Sequence, residues 1–161
     1  MLFHFKRGMA KIQILLALTF DGFLPRSHET LMRWVEGNTR HGFPLWQAKA
    51  SFSIYPHYGL IDLLDVADKH DGECIYLAEI RDKDSAEYAG GLLRYNLVDE
   101  IVLYLLPLSY GKGVSLAEGF QPGRWKLMPT KVFPTAFAAW YIGEKDKPVT
   151  SVRTYPSFYT G

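Results

Sequence analysis

The sequence predicts a single α/β domain built on a mostly parallel central sheet and edged by an antiparallel hairpin. Three observations carry this reading. Apolar runs of strand length at 12–20, 74–80 and 101–106 alternate with amphipathic helical patterns. The connections are only a few residues long, which calls for right-handed crossovers and parallel pairing. Two β-rich runs, Arg124 to Val132 and Ala136 to Ile142, then follow each other closely enough to pair as a hairpin. The 161 residues are of one-domain size, and 48% hydrophobic against 22% charged residues is the composition of a folding chain. Residues 1–161 are therefore read as one domain.

Taken in order, Ile12 to Phe20 is nearly all apolar and stops at Asp21-Gly22, as a central strand buried on both faces does. Met9 directly precedes it, so residues 1–8 read as an N-terminal extension or a start-site artefact. Ser27 is the expected cap of a helix with Leu31, Met32, Trp34 and Val35 on one side, and Gly37-Asn38 is its expected left-handed stop. Asn38 to Ala48 holds Gly42, Pro44 and Trp46 without a period and reads as a loop. Lys49 to Tyr55 alternates like a strand, and Leu60, Leu63, Leu64 and Ala67 fall at helical spacing. After the strand from Cys74 to Ile80, Asp84 and Glu87 form the expected capping box of a helix that buries Ala86, Ala89, Leu92 and Leu93. Gly90-Gly91 lies inside that helix, and Asp99 turns the chain into the strand from Ile101 to Leu106. The closing hairpin turns through Phe133-Pro134-Thr135, and Val149 to Thr154 reads as a last short strand.

Several function classes are disfavoured. The formal net charge is +1, and no cluster of lysine and arginine is dense enough for a phosphate backbone, so nucleic acid is not expected. Cys74 is the only cysteine and sits in an apolar run, which excludes an internal disulfide and makes it buried filler. No apolar stretch approaches the roughly 18 residues of a membrane span, and the first one is broken by Lys11 and Gln13. No membrane partner and a cytoplasmic location are expected. His41, His57 and His70 lack metal-ligand spacing, so no metal is expected, and neither a Gly-x-Ser-x-Gly elbow nor a phosphate-binding Gly-Lys-Ser/Thr loop is present.

Two segments carry a family resemblance. Leu15-Leu16-Ala17-Leu18-Thr19-Phe20-Asp21-Gly22-Phe23-Leu24 is similar to the opening strand and Asp-Gly-aromatic turn of the RibD C-terminal, riboflavin-biosynthesis branch of the dihydrofolate reductase-like superfamily. Asn96-Leu97-Val98-Asp99-Glu100-Ile101, running on to Leu106-Pro107-Leu108-Ser109-Tyr110-Gly111-Lys112-Gly113, resembles that branch's Leu-Val-Asp-Glu strand and Pro-x-x-x-Gly-x-Gly loop. The resemblance implies a dihydrofolate reductase-like three-layer α/β/α fold with a mostly parallel, mixed sheet and a C-terminal hairpin. A flavodoxin-like domain is the main competitor.

The same resemblance implies a reductase that uses NADPH to reduce a small planar heterocycle, a pterin or pyrimidine derivative. Ala17 and Leu18 would border the nicotinamide, and Glu79, Ile80, Arg81 and Ser85 would occupy the cofactor segment. Where the family has a Gly-Gly pair, this chain reads Glu79-Ile80-Arg81-Asp82-Lys83-Asp84-Ser85, so Glu79, Asp82 and Asp84 bring negative charge against Arg81, Lys83 and the Ser85 hydroxyl. Thr19, Asp21, Gly22 and Trp46 are the expected substrate contacts. Asp21, His28 and Glu29 are the candidates for catalysis, with a structural turn for Asp21 and an exposed first helical turn for the other two as the alternatives. Trp34, Phe43, Trp46, Tyr55 and Tyr58 either wall a pocket or belong to the core, and Gly111-Lys112-Gly113 either meets a ligand phosphate or is a tight strand exit. The alternative function is a non-catalytic or ligand-binding homologue that has lost the dinucleotide site. A homodimer is expected in both cases, since the resemblance implies pairing through the C-terminal strands and the tail is rich in aromatics that a lone domain would expose.

Overall fold

Strand β1, Ala10–Thr19, is apolar on both faces because it lies in the middle of the sheet. The computed structural model describes residues 10–56, 74–116, 119–128, 131–132 and 139–145. The described strands are ordered β2-β3-β1-β4-β7-β5, with β6 also paired to β7. β2 is Phe52–Ile54, β3 is Cys74–Glu79 and β4 is Glu100–Leu106. β5 is Trp125–Leu127, β6 is Lys131–Val132 and β7 is Ala139–Lys145. β2, β3, β1 and β4 run parallel, while β7 is antiparallel to β4, β5 and β6. The four parallel strands and the antiparallel closing hairpin are as the sequence predicts.

The period of two sorts β1 into two cores. Ile12, Ile14 and Leu16 pack with Ala86, Ala89, Leu92 and Leu93 of helix α3, Lys83–Arg94. Leu15 and Ala17 face the other way, onto Val35 of α1, Leu31–Gly37, and Phe43 and Trp46 of α2, Phe43–Lys49. Helices thus cover both faces of one sheet, giving the three layers. Each fully buried leucine contributes roughly 1.5–3 kcal/mol of transfer free energy, and Leu15 and Leu16 are both buried. Asp99 fixes the register. Its amide donates to the Ile12 carbonyl at 2.8 Å and its carboxylate accepts from the Ile12 amide at 2.8 Å, so the acidic pair opening β4 is a clamp on β1.

Four local expectations are corrected. α1 begins at Leu31 after Thr30, and Ser27 caps nothing there; the Glu29 carboxylate instead accepts from the Leu31 amide at 3.2 Å. Its end is not left-handed, because Asn38 is extended at φ −82° and its side chain accepts from the amides of Arg40 and His41. The aperiodic stretch through Trp46 is helical rather than a loop: Gly42 is the N-cap, Pro44 sits in the first turn where no amide is needed, and Phe43 and Trp46 share the buried side. A helix of seven residues is too short for its period to show, and it takes up Lys49, leaving β2 only three residues. The capping box of α3 is Asp82 with Ser85, two residues earlier than Asp84 with Glu87, because Asp82 is the last extended residue. Cys74 is half-buried and packs against the α3-side core. The expected helix at 60–67, the Phe133-Pro134 turn, the 149–154 strand, Tyr58, His57 and His70 lie outside the described residues.

Candidate functional site

The two segments of the family resemblance meet at Asp21. One carboxylate oxygen accepts from the Thr19 hydroxyl at 2.6 Å and the Tyr110 amide at 3.1 Å, and the other from the Gly111 amide at 2.7 Å. Thr19, buried at the end of β1, accepts from the Phe23 amide at 3.0 Å, and Gly22 takes φ 89°. The turn is therefore stapled to the loop leaving β4. The Thr19 hydroxyl first, then the Gly111 amide, hold the Asp21 carboxyl down to about 2 from an ordinary 3.8.

Tyr110 extends the staple towards Arg26 and Glu29. Its hydroxyl donates to the Glu29 carboxylate at 3.0 Å and accepts from the Arg26 amide at 3.2 Å, while the Arg26 guanidinium lies 4.1 Å above its ring. Burial first, with the Glu29 carboxylate adding to it, raises the phenol above its ordinary range. Glu29 is thus held at both oxygens, by Tyr110 and by the Leu31 amide.

Two clefts open at the carboxyl ends of the parallel strands, where open α/β sheets bind their ligands. The first, of about 550 Å³, lies between the ends of β2 and β3 and the start of α3, and is bordered by Tyr55, Glu79, Asp82, Asp84, Ser85 and Tyr88. The second, of about 590 Å³, lies between the end of β1 and the segment leading into α1, and is bordered by Ala17, Arg26, His28, Glu29, Met32, Arg33 and Glu36. Ile80, Arg81 and Asp82 border both clefts, so they form the ridge between them.

The ridge is internally satisfied. The Asp82 carboxylate accepts from the Ser85 amide at 2.9 Å, and the Ser85 hydroxyl oxygen accepts from the Arg81 and Asp82 amides at 2.8 and 3.0 Å. The Arg81 guanidinium is hydrogen-bonded and ion-paired to Glu79 and to Glu36 of α1. Glu79 also accepts from the Gln47 side chain at 2.6 Å. The Ser85 amide and hydroxyl hold the Asp82 carboxyl below its ordinary range, so it is charged at neutral pH.

The sheet order, the helices on both faces and the closing hairpin define a dihydrofolate reductase-like fold. In fold it is similar to solved RibD structures. The chain is similar to RibD of Acinetobacter baumannii, with TM-scores of 0.56 and 0.51 in two crystal forms, at 12% identity over 86% and 87% of this chain. It spans 58% and 59% of those RibD chains. It is also similar to a protein of Shewanella sp. PV-4 assigned to riboflavin biosynthesis, with a TM-score of 0.53 and 13% identity over 85% of this chain and 99% of that one. No protein-family model matches the sequence, and no curated protein does.

Of the residues singled out in the sequence, Ala17, His28, Glu29, Ile80 and Arg81 come together around the second cleft, and Glu79, Ile80, Arg81 and Ser85 around the first. Thr19, Asp21 and Gly22 form the turn and border neither cleft. Leu18 packs against the α3-side core. Trp46 is buried and donates to the Tyr104 hydroxyl at 2.9 Å, which itself donates to the His41 carbonyl at 2.5 Å. Phe43 is likewise core, while Tyr55 is exposed beside the first cleft. Arg26, Arg33, Glu36 and Tyr110 were not singled out. Only Tyr110 carried a signal, its place in the matched loop.

A nicotinamide dinucleotide, the cofactor implied by the resemblance, would have to lie across the ridge of Ile80, Arg81 and Asp82 that the two clefts share. The capping box at the start of α3 does not suit its pyrophosphate, since the Asp82 carboxylate takes the Ser85 amide and the Ser85 hydroxyl takes the Arg81 and Asp82 amides. Among the described residues, no three His, Cys, Asp or Glu side chains group to hold a metal ion. No described helix is long and apolar enough to cross a membrane.

Proposed function

We propose that the chain binds a small planar heterocycle, of the pterin or pyrimidine class, in the second cleft, as a ligand-binding counterpart in fold of the RibD reductases. The supporting observation is that one hollow at the carboxyl ends of β1 and β3 gathers Ala17, His28, Glu29 and Arg81. Ala17 and Ile80 supply apolar floor. Glu29, anchored by Tyr110 and the Leu31 amide, keeps a second lone pair on each oxygen as a fixed acceptor for a ring N–H. The flat Arg81 guanidinium supplies a stacking surface at the ridge, and His28 is the polar group at the rim.

Thermal melts with a panel of pterins and aminopyrimidines test this reading. A ligand at 100 times its Kd adds about 2.7 kcal/mol of stability, and Glu29→Gln weakens it about tenfold. A panel that shifts no melt contradicts the proposal. A second reading, NADPH-dependent reduction of that heterocycle, is favoured by the two clefts lying side by side, with Ile80 to Asp82 bordering both. Steady NADPH oxidation on adding the heterocycle supports it, and binding without oxidation removes it.

We also propose a homodimer. Phe120, ahead of β5, and Leu127, within it, are 41% and 63% exposed, and exposed large apolar side chains favour a partner of the chain's own kind. Light scattering should return twice the chain mass, and a monomer mass contradicts the pairing.

A further inference from the structure

We infer that the first cleft is a self-satisfied, electronegative wall that refuses a pyrophosphate, so that the chain holds no nicotinamide dinucleotide there. The inference deepens the proposal above by deciding between its two readings. It rests on that proposal only for what the second cleft binds.

A helix start receives phosphate through bare amides and the positive end of its dipole. At α3 the capping side chains already sit over that position. The Ser85 amide is taken by the Asp82 carboxylate, and the Arg81 and Asp82 amides by the Ser85 hydroxyl. A phosphate can reach those amides only by breaking a capping box whose carboxylate already satisfies the dipole. Asp82 is charged, Asp84 adds a second carboxylate in the first turn, and Glu79 adds a third at the end of β3. Among the described residues bordering the cleft, the single cation is Arg81, and its guanidinium is tied to Glu79 and to Glu36 across the ridge. Drawing Arg81 to a phosphate would separate it from Glu79 and Glu36, its two partly exposed carboxylate partners. A pyrophosphate therefore meets three carboxylates, a closed capping box and an ion-paired arginine.

The test is calorimetric titration of NADPH into the intact chain and into a Glu79→Gln, Asp82→Ser double variant. Serine keeps a capping oxygen while removing the charge, which preserves the helix start, and a circular dichroism melt checks the fold. The wild type should show no saturable heat up to about 5 mM NADPH, and the double variant should bind at least about tenfold more tightly than that limit. Saturable binding by the wild type below that concentration overturns the inference. So does a folded double variant that binds no better than the wild type, since the charges would then not be the cause. The heterocycle melts are read separately, so NADPH binding sinks this inference whatever they give.

Discussion

Asp21 is better understood as a fastening than as a reagent. Both of its carboxylate oxygens are committed, to Thr19, Tyr110 and Gly111. These bonds favour the ionised form and depress its pKa from 3.8 to about 2. A depressed carboxylate contributes stability that is complete above its unfolded pKa and is lost as pH falls through the folded value. Asp21→Asn should therefore melt lower than wild type at neutral pH, with the gap closing between pH 3.8 and about 2. Parallel thermal melts across that range check it, and a gap independent of pH contradicts the role. The staple was half legible in the sequence. A Thr-x-Asp-Gly turn after a strand announces local hydrogen bonding, but its long-range partners Tyr110 and Gly111 are 89 and 90 residues away. Nor does any pattern announce that Tyr110 reaches Glu29, because that contact depends on how two loops lie across the sheet end.

At the level of elements, α3 shows how a backbone approach controls sequence. Gly90 on the helix faces Gly119. A methyl group added at Gly119 would lie 2.5 Å from the Gly90 Cα, whereas one added at Gly90 meets nothing closer than 3.6 Å. Gly119→Ala should cost about 1–3 kcal/mol through overpacking of backbone on backbone. Gly90→Ala should be neutral or stabilising by up to about 1 kcal/mol, the helix-propensity gain. Urea unfolding of both variants checks the contrast, and equal effects contradict the geometry. Elements with a long apolar period were readable: β1, β3, α3 and β4 lie within a residue or two of their expected bounds. α2 was not, because seven residues with a proline in the first turn give no period, and its Gly42 cap looks like loop punctuation. The end of α1 misled for another reason: Asn38 uses its side chain to bind Arg40 and His41 amides instead of turning left-handed.

For the whole molecule, alternating strands and helices fixed a parallel sheet, and the short β-rich runs fixed its antiparallel edge, so the architecture was largely legible. The position of the site followed from it, since the carboxyl ends of β1 and β3 must open to one side. What could not be read was which side chains share the hollow: Arg26, Arg33 and Glu36 join His28 and Glu29 only through the path of the chain into α1. The sequence did show the carboxylates of the α3 segment, but not that Asp82 and Ser85 close over the helix start. The account's central claim, a heterocycle seated in the second cleft, is tested most directly by mapping amide chemical shifts in an isotope-labelled sample titrated with a binding pterin or pyrimidine. Shifts should concentrate at Ala17, at 26–29 and at Ile80 and Arg81. Shifts confined to the opposite side of α3, around Gly90, Arg94 and Val114, would contradict it.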